Sequence, residues 1–137
     1  MKKISGNECA LLCQQLAMMI SSGLSAEDGL GVVANDQPDV GLHDALLKIK
    51  NEIELGETLA DSLKRTEAFD SYMVRMVRIG EQTGYLDQVL EALAQYYQRM
   101  EKIVFSILFL IFSVFSTFFP VFSRVSRSFS SLFSLFY

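Results

Sequence analysis

The chain has 137 residues, half of them hydrophobic, with 12 basic against 16 acidic side chains and a formal net charge of −4. That balance speaks against a nucleic-acid binder, which needs a clustered basic surface, and two cysteines with a single histidine are too few for a closed zinc site. All acidic residues lie between Glu8 and Glu101, whereas Arg124 and Arg127 follow an uncharged apolar run. The chain therefore divides into a polar part, 1–102, long enough for one core, and a part from Ile103 onward that needs a membrane.

Met1, Lys2 and Lys3 start like a secretory signal, but Gly6, Asn7 and Glu8 follow and Gln14 and Gln15 interrupt the next apolar stretch. No leader is expected, and 1–102 is expected in the cytoplasm. Leu12, Leu16, Met19 and Ile20 recur at helical spacing and predict a first helix over about 6–22. Cys9 and Cys13 share one face of it and read as small apolar core residues. Gly23, before Leu24, suits the left-handed geometry that ends a helix. Ser25, three before Asp28, opens a second helix through Leu30, Val33 and Ala34, which Gln37-Pro38-Asp39 closes.

A third helix is predicted from about Leu42, with Leu42, Leu46, Ile49 and Ile53 inward and Lys48, Lys50, Glu52 and Glu54 outward. Gly56 ends it. His43 reads as a surface or boundary residue rather than a catalytic base, and Glu52, Glu54 and Glu57 as a solvated helix end rather than a cation site. Thr58 can cap a short fourth helix to about Arg65, with Asp61 on the first turn where the dipole favours negative charge. Phe69-Asp70-Ser71 begins a fifth, carrying Met73, Val74, Met76, Val77 and Ile79 to a junction at 80–84. The sixth presents Leu86, Val89, Leu90, Leu93, Tyr97 and Met100.

Strict apolar/polar alternation is absent before residue 103, so the expected fold is all-α: an antiparallel six-helix bundle whose last helix continues into a transmembrane helix. The segment 103–123, IVFSILFLIFSVFSTFFPVFS, carries no charge. About 20 such residues at about 1.5 Å rise cross a hydrocarbon core of roughly 30 Å. Pro120 removes a backbone donor, which predicts a kink near Ser116, and Ser113, Ser116 and Thr117 can support close helix contacts. Residues 124–137 form a short Ser/Phe-rich tail.

Neither a phosphate-cradling Gly-x-x-x-x-Gly-Lys-Ser/Thr loop nor a His-Glu-x-x-His pair occurs, so no catalytic residue, cofactor or metal is expected. Gly80 and Gly84 have the spacing of a membrane dimer motif but sit outside the apolar run. Glu81 is expected to accept backbone N–H bonds where the sixth helix starts, to pair with Arg75 or Arg78, or to meet a partner directly.

With the helices placed, the punctuation resembles the repeated cytoplasmic domain of the type II secretion system protein F family, which includes the platform proteins of type IV pilus and competence-pilus assembly. The resemblance runs over about 12–103: Ser22-Gly23-Leu24-Ser25, then Gly56-Glu57-Thr58-Leu59, then Phe69, then Gly80-Glu81-Gln82-Thr83-Gly84-Tyr85-Leu86 with Leu90, Ala94 and Tyr97. Gly80, Glu81, Thr83, Gly84 and Leu86 match the family's Gly-Glu-x-Ser/Thr-Gly-x-Leu junction. The resemblance implies a six-helix domain at the bacterial cytoplasmic (inner) membrane that forms homo-oligomers and contacts other platform proteins. It further implies contact with a cytoplasmic secretion or assembly ATPase, help in extracting pilin-like subunits, and no catalysis of its own. Family members carry two copies of the domain, whereas this chain has one copy and one span, and SFSSLFSLFY after Arg127 is expected to be an aberrant, truncated or frame-shifted end. A single-span adaptor or signalling protein with a helical interaction domain is the alternative.

Overall fold

The structure, a computed structural model, describes residues 2–136. Among them there are six α-helices and no strand: α1 (Gly6–Ser21), α2 (Ala26–Asn35), α3 (Val40–Glu54), α4 (Leu59–Thr66), α5 (Ser71–Thr83) and α6 (Leu86–Phe136). The all-α expectation holds, including the continuation of the last helix through the apolar run. Two compact units result, Met1–Glu101 and Lys102–Tyr137.

Each short helix starts where a side-chain oxygen can take an orphaned N–H. Ser25, Asp39, Thr58 and Asp70 each accept from the residue three ahead. Ser5 does so from Glu8, and the Glu8 carboxylate returns the bond to the Ser5 N–H at 2.8 Å, a full capping box. The Ser5 hydroxyl and N–H together hold the Glu8 carboxyl below its ordinary pKa. The third helix begins at Val40 rather than Leu42, because Asp39, which the sequence reading used to close α2, caps α3.

Packing follows the apolar stripes, with α1 on α2, α2 on α3, α3 on α4 and α4 on α5. Leu12, Leu16, Leu30, Val33, Leu46, Ile49, Leu63, Met73 and Val77 are buried, and the first part of α6 joins the same core through Leu90, Leu93, Ala94 and Tyr97. Fully burying one such leucine contributes roughly 1.5–3 kcal/mol. Two positions placed on apolar faces by spacing are instead open to solvent, Ile79 at 49 % and Met100 at 49 %. Ile79 lies one position off its buried stripe, and Met100 continues the spacing of its stripe beyond Tyr97, the last buried residue of α6. Cys9 and Cys13 are in the core as free thiols, and burial foremost, then Asp70 and Glu8 at Cys9, and Cys9 and Asp70 at Cys13, pushes both up to about 12.

In the second unit the apolar window of α6 meets the length and composition needed to cross a membrane, and none of it is buried. Pro120 lies inside the helix. Just before it the Thr117 hydroxyl donates to the Ser113 carbonyl at 3.1 Å and the Val114 carbonyl at 3.0 Å.

Candidate functional site

The two glycine turns have one geometry. Gly23 and Gly56 adopt φ +98° and +96°, positions where a Cβ would be strained. At the first turn the Gly23 N–H donates to Ile20 O at 3.0 Å and the Leu24 N–H to Met19 O at 3.0 Å. At the second the Gly56 N–H donates to Ile53 O at 2.9 Å and the Glu57 N–H to Glu52 O at 3.1 Å. Each closes its helix as a Schellman motif. They stand in different places, however: the turn at Gly56 leads directly into the α4 cap, and the turn at Gly23 leads into α2.

The junction residues each have a distinct task. Gly80 is buried where α5 meets the start of α6, and a Cβ there would lie 3.0 Å from Leu86 Cα and 3.2 Å from Val89 Cβ. Gly84 ends α5 in left-handed geometry at φ +78°, its N–H donating to Gly80 O at 3.0 Å. The Thr83 hydroxyl donates to Ile79 O at 2.8 Å on the last turn. Leu86 starts α6 and packs on the core. The result is a tight elbow built on bare backbone contact.

Glu81 turns from that elbow toward a different helix. Its Oε1 accepts the Leu59 N–H at 2.6 Å and its Oε2 accepts the Ala60 N–H at 3.0 Å. Thr58 Oγ1 takes the next donor, the Asp61 N–H, at 3.1 Å. The first three residues of α4 thus have every N–H satisfied, two of them by a carboxylate placed at the positive end of the helix dipole. The expectation that Glu81 would serve the start of the sixth helix is corrected here: it serves the fourth. Nor does it pair with Arg75 or Arg78 among the described residues. Arg78, one turn earlier on the same face, donates from Nη2 to Asp61 Oδ1 at 2.6 Å, while the Thr58 hydroxyl donates to Asp61 Oδ2 at 2.9 Å. The Thr58 bond first, and the Arg78 charge after it, hold the Asp61 carboxyl below its usual range.

The structure therefore brings the 56–58 turn and the 80–86 junction together around the N-terminus of α4 and leaves Gly23 and Leu24 in a separate turn. It also adds groups that sequence reading did not assign. Asp70 Oδ1 caps α5 through the Met73 N–H at 2.8 Å, and Asp70 Oδ2 accepts the Tyr97 hydroxyl at 2.7 Å, tying α5 to α6. Burial, then that bond, raises the Tyr97 phenol. Arg65 pairs with Glu57 at 2.9 Å and Glu52 at 3.5 Å, and Lys50 pairs with Glu54, so the three glutamates at the end of α3 are engaged by cations of the chain itself. His43 Nδ1 donates to Ala34 O at 2.7 Å, closing the end of α2. Of these, the Asp70 cap and the Lys50–Glu54 pair close within three and four residues and carried a local signal, whereas the His43, Arg65 and Tyr97 contacts join residues 8 to 27 positions apart.

A groove between α1 and α6 is lined by Gln14, Ala17, Met18, Ser21, Ser22, Glu91 and Ala94. The Ser21 hydroxyl donates to Asp87 and that of Ser22 to the Met19 carbonyl. What the geometry around α4 can do is mechanical: it locks α4, α5 and the first turn of α6 into one piece.

Residues 12–119 match the family described as Type II secretion system (T2SS), protein F. The chain is similar to the type II secretion system protein F of Vibrio cholerae, 36% identical over 101 residues, covering 73% of this chain and 25% of that protein. It is also similar to the type IV pilus assembly protein PilC of Myxococcus xanthus, 33% identical over 101 residues, covering 73% of this chain and 24% of the other. A third relative, PilC of Pseudomonas aeruginosa, is 28% identical over 103 residues, covering 74% and 28%. The chain spans about a quarter of the length of these relatives. With a family match that covers most of its residues and runs through both the helical unit and the apolar helix, the chain belongs to the type II secretion system protein F family.

Proposed function

We propose that this chain is a membrane platform subunit of a bacterial type II secretion or type IV pilus assembly machine, with 1–102 as its cytoplasmic domain and 103–123 in the inner membrane. In that role it couples a cytoplasmic assembly ATPase to the extraction of pilin-like subunits, together with other platform proteins and further copies of itself. The observation that carries this reading is the family match over 12–119, which takes in the caged N-terminus of α4, the elbow and the apolar helix alike. The elbow supports it physically. A load on α6 meets Gly80 against Leu86 with no side chain to cushion it, and Glu81 passes that load to α4 through two backbone bonds. The chain supplies a rigid relay, and the ATPase supplies the energy; no chemistry is asked of its own residues.

The test uses the full chain in detergent with the assembly ATPase of the same cell. Co-elution of the two on size exclusion, weakened by substitutions on the exposed faces of 1–102, is the expected result. If folded chain and ATPase elute separately across ATP-bound and ATP-free conditions, the coupling role is wrong and a single-span adaptor is the better description.

A further inference from the structure

Helix α6 changes character at Pro120. From 103 to 119 apolar side chains surround the axis, with Phe105, Phe109 and Phe112 on one side and Ile107, Ile111, Val114 and Phe118 on the other, all exposed. After Pro120 the faces separate. Val121, Phe122, Val125, Phe129, Leu132 and Phe136 fall on one side, interrupted by Ser128, and Ser123, Arg124, Arg127, Ser130, Ser131 and Ser134 fall on the other. Arg127 Nη2 lies 3.4 Å from Ser123 Oγ along that polar side. No acidic residue of the sequence follows Glu101, so among the described residues neither arginine has a carboxylate partner in its own segment.

A straight transmembrane course does not suit this pattern. Residues 103–136 form about 51 Å of helix at about 1.5 Å per residue. Fitting that into a hydrocarbon core of roughly 30 Å needs a tilt of about 54°, beyond the roughly 0–40° that spanning helices adopt. Residues 103–119 alone give about 26 Å, which a bilayer accepts with slight thinning. Pro120 is also the point where bending costs least. It cannot donate to the Ser116 carbonyl, and Thr117 already turns its hydroxyl onto the Ser113 and Val114 carbonyls one turn before.

We infer that the span ends at Pro120 and that residues 121–136 lie in the plane of the far phospholipid interface, with the Phe/Leu face among the acyl chains and Arg124 and Arg127 on lipid phosphates. Segments with a cationic polar face opposite a Phe/Leu face occupy this layer, and an arginine fork suits phosphate oxygens. This inference rests on the reading that the apolar run crosses the bilayer, and shortens the crossing part from 103–123 to 103–119.

The chain contains no tryptophan, so single Trp substitutions report depth without background. The full chain is reconstituted in phosphatidylethanolamine/phosphatidylglycerol vesicles whose acyl chains carry bromine either near the headgroup or near the chain end. Phe112→Trp is the control and is quenched most by the deep bromines; if it is not, the spanning reading itself falls. Phe129→Trp and Leu132→Trp are expected to be quenched more strongly by the shallow bromines, and Ser130→Trp to be at least about twofold more accessible to aqueous acrylamide than either. In the background of Pro120→Ala, Phe129→Trp should lose its shallow quenching as the helix straightens. Equal acrylamide access at 129, 130 and 132, or deep quenching at 129, overturns the in-plane segment while leaving the span intact.

Discussion

At the scale of single residues, Glu81 and Gly80 act through opposite physics. Glu81→Ala strips two N–H groups of their carboxylate partner at a part-buried helix start, and a buried donor left unmet costs about 1–3 kcal/mol. We expect roughly 2 kcal/mol of lost stability, read as an earlier midpoint in urea with unchanged slope; an unshifted midpoint would show that α4 does not depend on the clamp. Gly80→Ala tests the elbow. Alanine is the better helix former by about 1 kcal/mol, yet its Cβ would sit 3.0 Å from Leu86 Cα, where backbone rather than a flexible side chain must yield. The steric term wins, and a net loss of about 1–3 kcal/mol is expected in the same titration; a stabilised variant would mean the two helices part easily. Sequence alone singled out both residues, through the junction pattern, but not what they touch. The partners of Glu81 lie 21 and 22 residues back, and no local periodicity encodes a contact of that separation. The caps at Ser25 and Thr58 and the turns at Gly23 and Gly56 were legible because their bonds close within a few residues.

At the scale of elements, the number, order and type of the helices follow from apolar spacing and from Gly and Ser/Thr/Asp punctuation, and all six stand where that spacing puts them. The misreadings came from residues with two possible duties. Asp39 could end α2 or begin α3, and it begins α3 because its carboxylate reaches the Leu42 N–H at 2.9 Å. Ile79 sits one position off its stripe and Met100 one turn past the buried end of its own, distinctions that only packing resolves. Helix α4 is the extreme case. With eight residues it is too short to persist alone, and it is held from outside, by Glu81 and Arg78 of α5 on its first turn and by burial of Leu59, Ala60 and Leu63 on its inner face.

At the scale of the whole molecule, an acidic helical unit and an apolar helix share one chain, and the first can be followed without disturbing the second. Cys9 and Cys13 are 4 % and 0 % exposed, with thiols pushed up to about 12. They are expected to resist alkylation at pH 8 in the folded chain and to react only as the helical unit opens, so labelling in urea measures the stability of 1–101 in the presence of the membrane segment. Rapid labelling without denaturant would show that α1 separates from the core on its own. The clamp at Glu81 also sets an order in time. A ribosome delivers the start of α4 before it delivers residue 81, so the nascent chain carries a capped but unlocked Thr58 turn until α5 emerges. The bonds to Leu59 and Ala60 can then form only after the whole of α4 and most of α5 have been made, so the start of α4 waits on the end of α5 for its last two partners.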